Sequence, residues 1–296
     1  MNTGNKMDNK MERHPCFSEK AHKKFSRLHL AVAPKCNVGC NYCVRKYDCV
    51  NESRPGVTSR VFTPAEALER VQVAVERTGS LSVIGIAGPG DPLANEATFE
   101  TLRLLQRVFP DLTTCVSTNG LLLPGRLADL ISCGLKSLTI TINALTIQTA
   151  AKIYAHVSPN GEKILTGQDA AERLLTAQWN GLRVAVDAGL AVKVNTIYIP
   201  AINDDEIRHI AFQAGNLGAT IMNIMPLIPQ AAFSSLKRPD CKMMDQMRDT
   251  CRLHIPIMTH CKQCRADAFG LLGEDKDVEL EVLNANIGED YCDMVF

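Results

Sequence analysis

LHLAVAPKCNVGCNYC, residues 28–43, joins a short alternating run to three cysteines in a C-x3-C-x2-C pattern at Cys36, Cys40 and Cys43. The run LHLAVA (28–33) reads as a strand, because Leu28, Leu30 and Val32 share one face and His29, Ala31 and Ala33 the other. The thiols follow directly where that strand ends. Five more such runs lie at LSVIGIA (81–87), LTTCVST (112–118), SLTITIN (137–143), AVKVNTIYI (191–199) and ATIMNIM (219–225). Helical signals separate them. Thr63-Pro64-Ala65-Glu66 is a capping box with proline at the first helical position, followed by Leu68, Val71 and Val75 on one face and Gly79 as the stop. Leu102, Leu105 and Val108 form the next stripe, ended by Pro110, and Leu127, Leu130 and Ile131 precede Gly134. A long helix ends near Gly189, and another begins at Asn203 with Glu206 three residues on.

Six strand–helix units with right-handed crossovers imply an α/β fold, a parallel sheet curled into a partial (βα)6 barrel. The first βα loop has no G-x-G-x-x-G fingerprint, which argues against a flat dinucleotide-binding sheet. Barrel active sites lie at the carboxy ends of the strands, where the cysteine packet falls. The alternation turns Leu112, Val116, Leu138, Ile140 and Ile142 toward helices. It therefore turns His29, Thr113, Cys115, Ser117, Thr139, Thr141, Asn143, Asn195 and Asn223 inward, so the lumen is expected to be polar.

The 296-residue chain is 46% hydrophobic and 22% charged, ordinary for a globular protein. Lys plus Arg (32) balance Asp plus Glu (32), leaving no global field for nucleic acid or an anionic membrane. There is no apolar stretch of membrane-spanning length, and MNTGNKMDNKMERHP has no signal-peptide core. The expectation is a cytoplasmic monomer. Residues 1–13 would be a flexible tail, 14–235 the barrel core with an amino-terminal ligand segment, and 236–296 a carboxy-terminal extension carrying Cys261 and Cys264. Twelve cysteines in such a chain are better read as reduced thiols than as a disulfide framework. Cys133, at a helix end beside Gly134, reads as a small buried hydrophobe, and packing is also the simpler role for Cys241, Cys251 and Cys292.

Three cysteines do not complete a four-ligand structural zinc site. They can ligate three irons of a 4Fe–4S cubane and leave the fourth iron open. A zinc knuckle completed by a distant Cys or His is the alternative. The loop GPGDP (88–92) follows the second strand, where glycine lets backbone carbonyls approach a ligand closely.

The C-x3-C-x2-C packet with Tyr42 before its last cysteine, directly after the first strand of a six-unit βα chain, resembles the radical S-adenosylmethionine (radical SAM) superfamily. That resemblance implies a partial barrel whose cluster binds SAM at the open iron and cleaves it reductively to a 5′-deoxyadenosyl radical. It also implies SAM contacts from Tyr42, Gly88, Pro89, Gly90, Asp91, Ser117, Asn119, Asn143 and Asn195.

Over residues 14–275 the chain is similar to the NifB family of nitrogenase cofactor maturases. The resemblance is carried by HPCFSEKAHKKFSRLHLAVAPKCNVGCNYCVRKYDCVNESRPG (14–56) and CKQCRADAFGLLGED (261–275). Residues 276–296 are too few for a NifX-like domain, so the resemblance implies the stand-alone, archaeal-type form. It further implies that two 4Fe–4S substrate clusters are fused around a SAM-derived carbide, with one extra sulfur, into an 8Fe–9S–C precursor of the iron–molybdenum cofactor. By the family pattern, His29, Cys261 and Cys264 hold one substrate cluster, and Cys16, Cys49 and Cys115 hold the other. Apart from the resemblance, Asn51-Glu52-Ser53 offers Glu52 near the cluster mouth as a weak ligand or a proton acceptor, with a plain surface turn carboxylate as the alternative. The implied partners are iron–sulfur cluster donors, scaffold or carrier proteins of the NifEN or NifX type, and a ferredoxin or flavodoxin as electron donor.

Other readings stay open at this point. Cys261 and Cys264 alone suit half a zinc site or a redox pair, and His29 suits a hydrogen-bonded core histidine lying about 13 Å below the barrel mouth. His14 and His22 are expected to be solvated. A radical SAM peptide or pterin maturase with auxiliary clusters would also add late cysteines, and an Fe–S carrier would need neither the GPGDP loop nor the barrel. The maturase reading does not account for HPC before the first strand or YDCVNESRPG after the cysteine packet.

Overall fold

The computed structural model describes residues 11–276 except 52, 54, 55, 160 and 162. Six parallel strands form its centre: β1 (Ser26–His29), β3 (Leu81–Ile86), β4 (Thr113–Thr118), β5 (Ser137–Thr141), β8 (Ala191–Tyr198) and β9 (Ile221–Pro226), adjacent in that order. The strands curl into a half-barrel with helices outside, the α/β partial barrel expected from the six-fold rhythm. An antiparallel hairpin, β10 (Phe269–Leu271) and β11 (Glu274–Lys276), extends the sheet beyond β1.

Helices α1 (Pro64–Arg77), α2 (Glu96–Val108), α3 (Leu123–Ser132), α5 (Gly167–Asp187) and α6 (Asp204–Asn216) connect successive core strands, and α7 (Cys241–Arg252) follows β9. The capping box of α1 is formed as read: Glu66 N–H donates to Thr63 Oγ1 at 3.3 Å, and Thr63 N–H donates to the Glu66 carboxylate at 2.8 Å. A cap of this kind contributes about 1 kcal/mol.

Sheet and helices meet through the strand faces pointing away from the lumen. Val116, Leu138, Ile140, Val192, Val194, Met222 and Ile224 pack with Phe99, Leu102, Leu130 and Ile207 in one buried core. Each such side chain contributes about 1.5–3 kcal/mol when fully buried. Cys133 and Cys251 are buried in this core and Cys241 is exposed. Cys292 lies outside the described residues.

Two features were not read from the sequence. A second sheet, β2 (Val38–Cys40), β6 (Tyr154–Val157) and β7 (Leu165–Thr166), takes the middle of the cysteine packet as one of its strands. Gly39 packs against the His156 ring, where a Cβ would lie 2.3 Å from it. A short helix, α4 (Ile147–Ile153), precedes β6. The expected pairing of Asn203 with Glu206 at the start of α6 is also different. Asn203 instead accepts from Ile199 N–H and donates to the carbonyls of Asn143 and Ile197. Glu206 reaches across to the start of α4, accepting from Leu145 N–H at 2.6 Å and from the hydroxyls of Thr146 and Thr149.

Candidate active site

Two chambers open along the lumen, and Asn51, Ala87 and Ser117 line both, so they adjoin. The first is an open cavity of about 440 Å³, its solvent-facing space included, and is lined by Cys36, Cys40, Cys43 and Cys49. The β2–β6 pairing anchors the packet on one side. On the other, Gly90 N–H donates to the Ala33 carbonyl and Asp91 N–H to the Lys35 carbonyl. Asn95 clamps the Lys35 peptide from both ends, accepting from its N–H at 3.1 Å and donating to its carbonyl at 2.8 Å. A Cβ on Gly90 would lie 2.2 Å from the Lys35 carbonyl oxygen. Glycine is therefore required in GPGDP for the loop to close on the packet.

The polar residues assigned to SAM divide by position. Tyr42, Gly90, Asp91, Ser117 and Asn119 line the first chamber. The Asp91 carboxylate is committed to the fold, accepting from Leu93 N–H, Asn119 N–H and the Thr118 hydroxyl. Burial pushes it up to about 6 against those hydrogen bonds. Asn119 donates to Asn37 Oδ1 at 2.7 Å and reaches toward Cys36. Asn143 lines neither chamber: it is buried behind Tyr42, donating to the phenol oxygen at 2.8 Å and accepting from Ile197 N–H. Its inward direction is spent on supporting Tyr42. Asn195 faces the second chamber and donates to the Asn51 carbonyl at 3.2 Å. The GPGDP loop contains a cis peptide between Gly88 and Pro89, and neither residue lines the chambers.

Burial pushes the packet thiols up, Cys36 to about 11 with the charge of Asp91 adding to the effect. Burial raises Cys40, Cys43 and Cys49 as well, while Arg45 opposes the rise at Cys40 and Cys43. Thiolates gathered in so buried a place need a cationic group to be stable together. The donor set of Cys36, Cys40 and Cys43, bound to one short loop beside Arg45, fits an iron–sulfur cluster.

The second chamber is an open cavity of about 620 Å³, its solvent-facing space included. Cys16 comes to it from the amino-terminal segment, His29 from β1, Cys115 from β4, and Cys261 and Cys264 from the carboxy-terminal segment. Arg27 holds the last of these in place, donating to the carbonyls of Gly270 at 2.7 Å and Leu271 at 3.0 Å and to Cys264 Sγ at 3.1 Å. His260 bonds the Pro15 carbonyl at 2.9 Å and stacks on His22, tying the two terminal segments together. Gly85, the register partner of His29, leaves room for the imidazole: a Cβ there would lie 2.7 Å from its Cδ2. The chamber extends down to Val83 and Gly85, so the depth of His29 does not keep it from the lumen. All eleven described cysteines are without disulfides.

The geometry differs from the expected grouping at several points. Cys49 lies in the first chamber with the packet thiols, whereas Cys16 and Cys115 line the second. The reason is the chain path: Cys49 is close in sequence to the packet, and its Coulombic neighbours are Cys43, Cys36 and Cys40. His14 is not solvated; it is 1% exposed and lines the second chamber. Burial, with Lys193 and His29 nearby, holds its imidazole far down, at about 3. His22 is half-buried against His260. Glu52 lies outside the described residues. Arg27 and Lys193, both buried and lining the second chamber, were missed. The signal was present, since the alternation that turns His29 and Asn195 inward also turns inward the residue two positions earlier. Lys193 opposes the burial that pushes the Cys16 thiol up to about 12.

A family model described as the Radical SAM superfamily matches residues 30–214, most of the barrel and the whole first chamber. The chain belongs to the radical SAM superfamily. Among curated relatives it is similar to the FeMo cofactor biosynthesis protein NifB of Klebsiella pneumoniae, 45% identical over 279 residues, 92% of this chain and 59% of that protein. It is 43% identical to the protein of the same name from Azotobacter vinelandii, over 91% of this chain and 55% of that one. The chain thus spans somewhat over half the length of these relatives. Among solved structures, Streptococcus suis SuiB bound to S-adenosylmethionine superposes with a TM-score of 0.57 at 12% identity, covering 82% of this chain and 53% of that one. A radical SAM methyltransferase from Sphaerobacter thermophilus gives 0.51 at 22% identity, over 79% and 64%. These two show the shared radical SAM fold. No helix among the described residues is long and apolar enough to cross a membrane.

Proposed function

We propose that this radical SAM protein builds the 8Fe–9S–C precursor of the nitrogenase iron–molybdenum cofactor from two 4Fe–4S substrate clusters, SAM and one further sulfur. The observation that carries the reading is the pair of adjoining chambers, one lined by the packet thiols and the other by Cys16, His29, Cys115, Cys261 and Cys264. The similarity to NifB proteins over nine-tenths of the chain supports the same substrate and product.

Cys36, Cys40 and Cys43 would hold the resident cluster, and Tyr42, Ser117, Asn119 and the backbone of GPGDP would position SAM beside it. When bound, that cluster and SAM supply the electron, the methyl group and the carbon-centred radical. Tyr42, fixed between Asn51 and Asn143, keeps the wall of this chamber rigid. Ser117 stands between the chambers, so a methyl group and its acceptor sulfide need cross no further protein layer. Reaction requires the two centres to approach within about 3–3.5 Å in a water-excluded space.

The second chamber would hold the substrate. His29 lies with Nδ1 3.0 Å from the Arg265 carbonyl, an arrangement in which Nδ1–H donates and Nε2 would be the ligating nitrogen. Cys261 and Cys264 would complete that half, with the Arg27 guanidinium stabilising the Cys264 thiolate. Cys16 and Cys115 would serve the other half. Cys49, close to the boundary residue Asn51, would complete it from the first chamber. Glu52 is proposed as the proton acceptor, and iron–sulfur donors, NifEN- or NifX-type carriers and a ferredoxin or flavodoxin as partners. Lys193 and Arg27 place positive charge against an anionic substrate.

The test is anaerobic reconstitution with iron and sulfide, followed by SAM and dithionite. S-adenosylhomocysteine and 5′-deoxyadenosine should both form without any added substrate. Deoxyadenosine alone would favour a maturase acting on a separate substrate, and neither product would favour a carrier.

A further inference from the structure

Two histidines face the second chamber, and the backbone fixes them in opposite tautomers. His29 Nδ1 lies against the Arg265 carbonyl at 3.0 Å, so its proton is there. His14 Nδ1 instead accepts the backbone N–H of Cys16 at 3.1 Å, so the proton of its neutral ring is on Nε2. The ring is 1% exposed, lines the chamber, and packs edge-on against Phe17 with centroids 4.7 Å apart. Its Nε2 is buried without a hydrogen-bond partner among the described residues. A buried N–H lacking an acceptor is costly, and an acceptor arriving with the substrate would recover that cost.

We propose that His14 donates a hydrogen bond from Nε2–H to a sulfide of the iron–sulfur substrate in the second chamber, as a positioning residue and not as an iron ligand. The proposal rests on the reading that this chamber holds such a substrate. An N–H donor withdraws charge from the sulfide and stabilises the reduced, more anionic state, which raises the reduction potential. His29 and His14 thus divide the work: one offers a lone pair to iron, the other a proton to sulfide.

The experiment uses the full chain carrying Cys36→Ala, Cys40→Ala and Cys43→Ala, so that the resident cluster is lost and iron is held only by the substrate ligands. His14→Asn keeps an acceptor for Cys16 N–H through Oδ1 but withdraws the donor. His14→Gln carries an amide N–H out to the place of Nε2. Iron content, a potentiometric titration followed by electron paramagnetic resonance, and pulsed measurement of nitrogen coupling are read for each. The proposal expects His14→Asn to move the potential to more negative values, His14→Gln to move it back, and the strong nitrogen coupling from His29 to persist in both. Iron lost in His14→Asn and recovered in His14→Gln would also support it. An unchanged potential in His14→Asn with iron retained overturns the donor role, as does iron lost in both variants. Loss of the strong nitrogen coupling in His14→Asn would make His14 a ligand and overturn it. Absence of iron in the starting chain would overturn the reading of the chamber itself and the donor role with it.

Discussion

The Nδ1 of His29 and the carbonyl of Arg265 lie 3.0 Å apart, so the first core strand and the carboxy-terminal segment meet at the imidazole. One residue away in the segment, Cys264 Sγ accepts from Arg27 at 3.1 Å. Truncation before Thr259 removes this arrangement together with Cys261 and Cys264. The shortened chain should lose iron from the second chamber and still cleave SAM. Iron analysis beside a deoxyadenosine assay checks this, and full iron content would return the CKQC segment to a bystander role.

Gly85→Ala tests the placement of His29. The added methyl would meet the imidazole at 2.7 Å from Cδ2, so the ring must move or the strands must part. Overpacking of this kind costs about 1–3 kcal/mol. The reconstituted variant should lose the histidine nitrogen coupling while the Cys36, Cys40 and Cys43 cluster keeps its spectrum. His29→Ala should erase the same coupling without the overpacking. A coupling unchanged in both would mean that the ligand nitrogen comes from elsewhere.

Gly90→Ala addresses the other chamber. The Lys35 carbonyl oxygen occupies the space a Cβ would need, at 2.2 Å, and both partners are backbone, so neither can rotate away. The packet should be displaced from the GPGDP loop, and SAM cleavage should fall at least tenfold while iron in the second chamber is retained. Normal cleavage would mean that the two loops do not depend on one another.

Glu206 offers a test away from the metal sites. Burial opposes its ionisation, but donors from Leu145, Thr146 and Thr149 outweigh it and hold the carboxylate below its usual range. Because the folded pKa is the lower one, the unfolded chain takes up the proton first as pH falls. The stabilisation is therefore present at neutral pH and is lost as pH drops through the ordinary glutamate value and below it. Glu206→Gln should cost about 1 kcal/mol at pH 7, by analogy with the loss of a helix cap. The gap from the parent chain, followed by thermal denaturation, should narrow in acid. A constant gap would point to packing.

The core strands were legible because each carries a period of two against a helical side that is plainly apolar, as Val116, Leu138 and Val194 do. The packet was legible because its three thiols lie within eight residues, and local spacing survives folding. The missed parts depend on contacts distant in sequence. Val38–Cys40 is too short to read as a strand and becomes one only through Tyr154–Val157. His14 lies in a polar segment, and its burial follows from the docking of that segment over the lumen. Lys193 carried a legible signal, since its spacing from Asn195 marks it as inward, but a lone lysine in a strand has no partner in the sequence to announce a site. Glu206 had the right spacing for a cap on its own helix, but the nearby donors of Leu145 and Thr146 claimed it.

We propose that the first chamber's SAM chemistry acts on a methyl group already delivered to the second. Supplying the reconstituted chain with SAM deuterated at its methyl group and measuring the mass of the 5′-deoxyadenosine tests it most directly. If the radical abstracts hydrogen from the transferred methyl, one deuterium should appear in the deoxyadenosine. Deoxyadenosine formed without label, with S-adenosylhomocysteine released alongside it, would contradict the account.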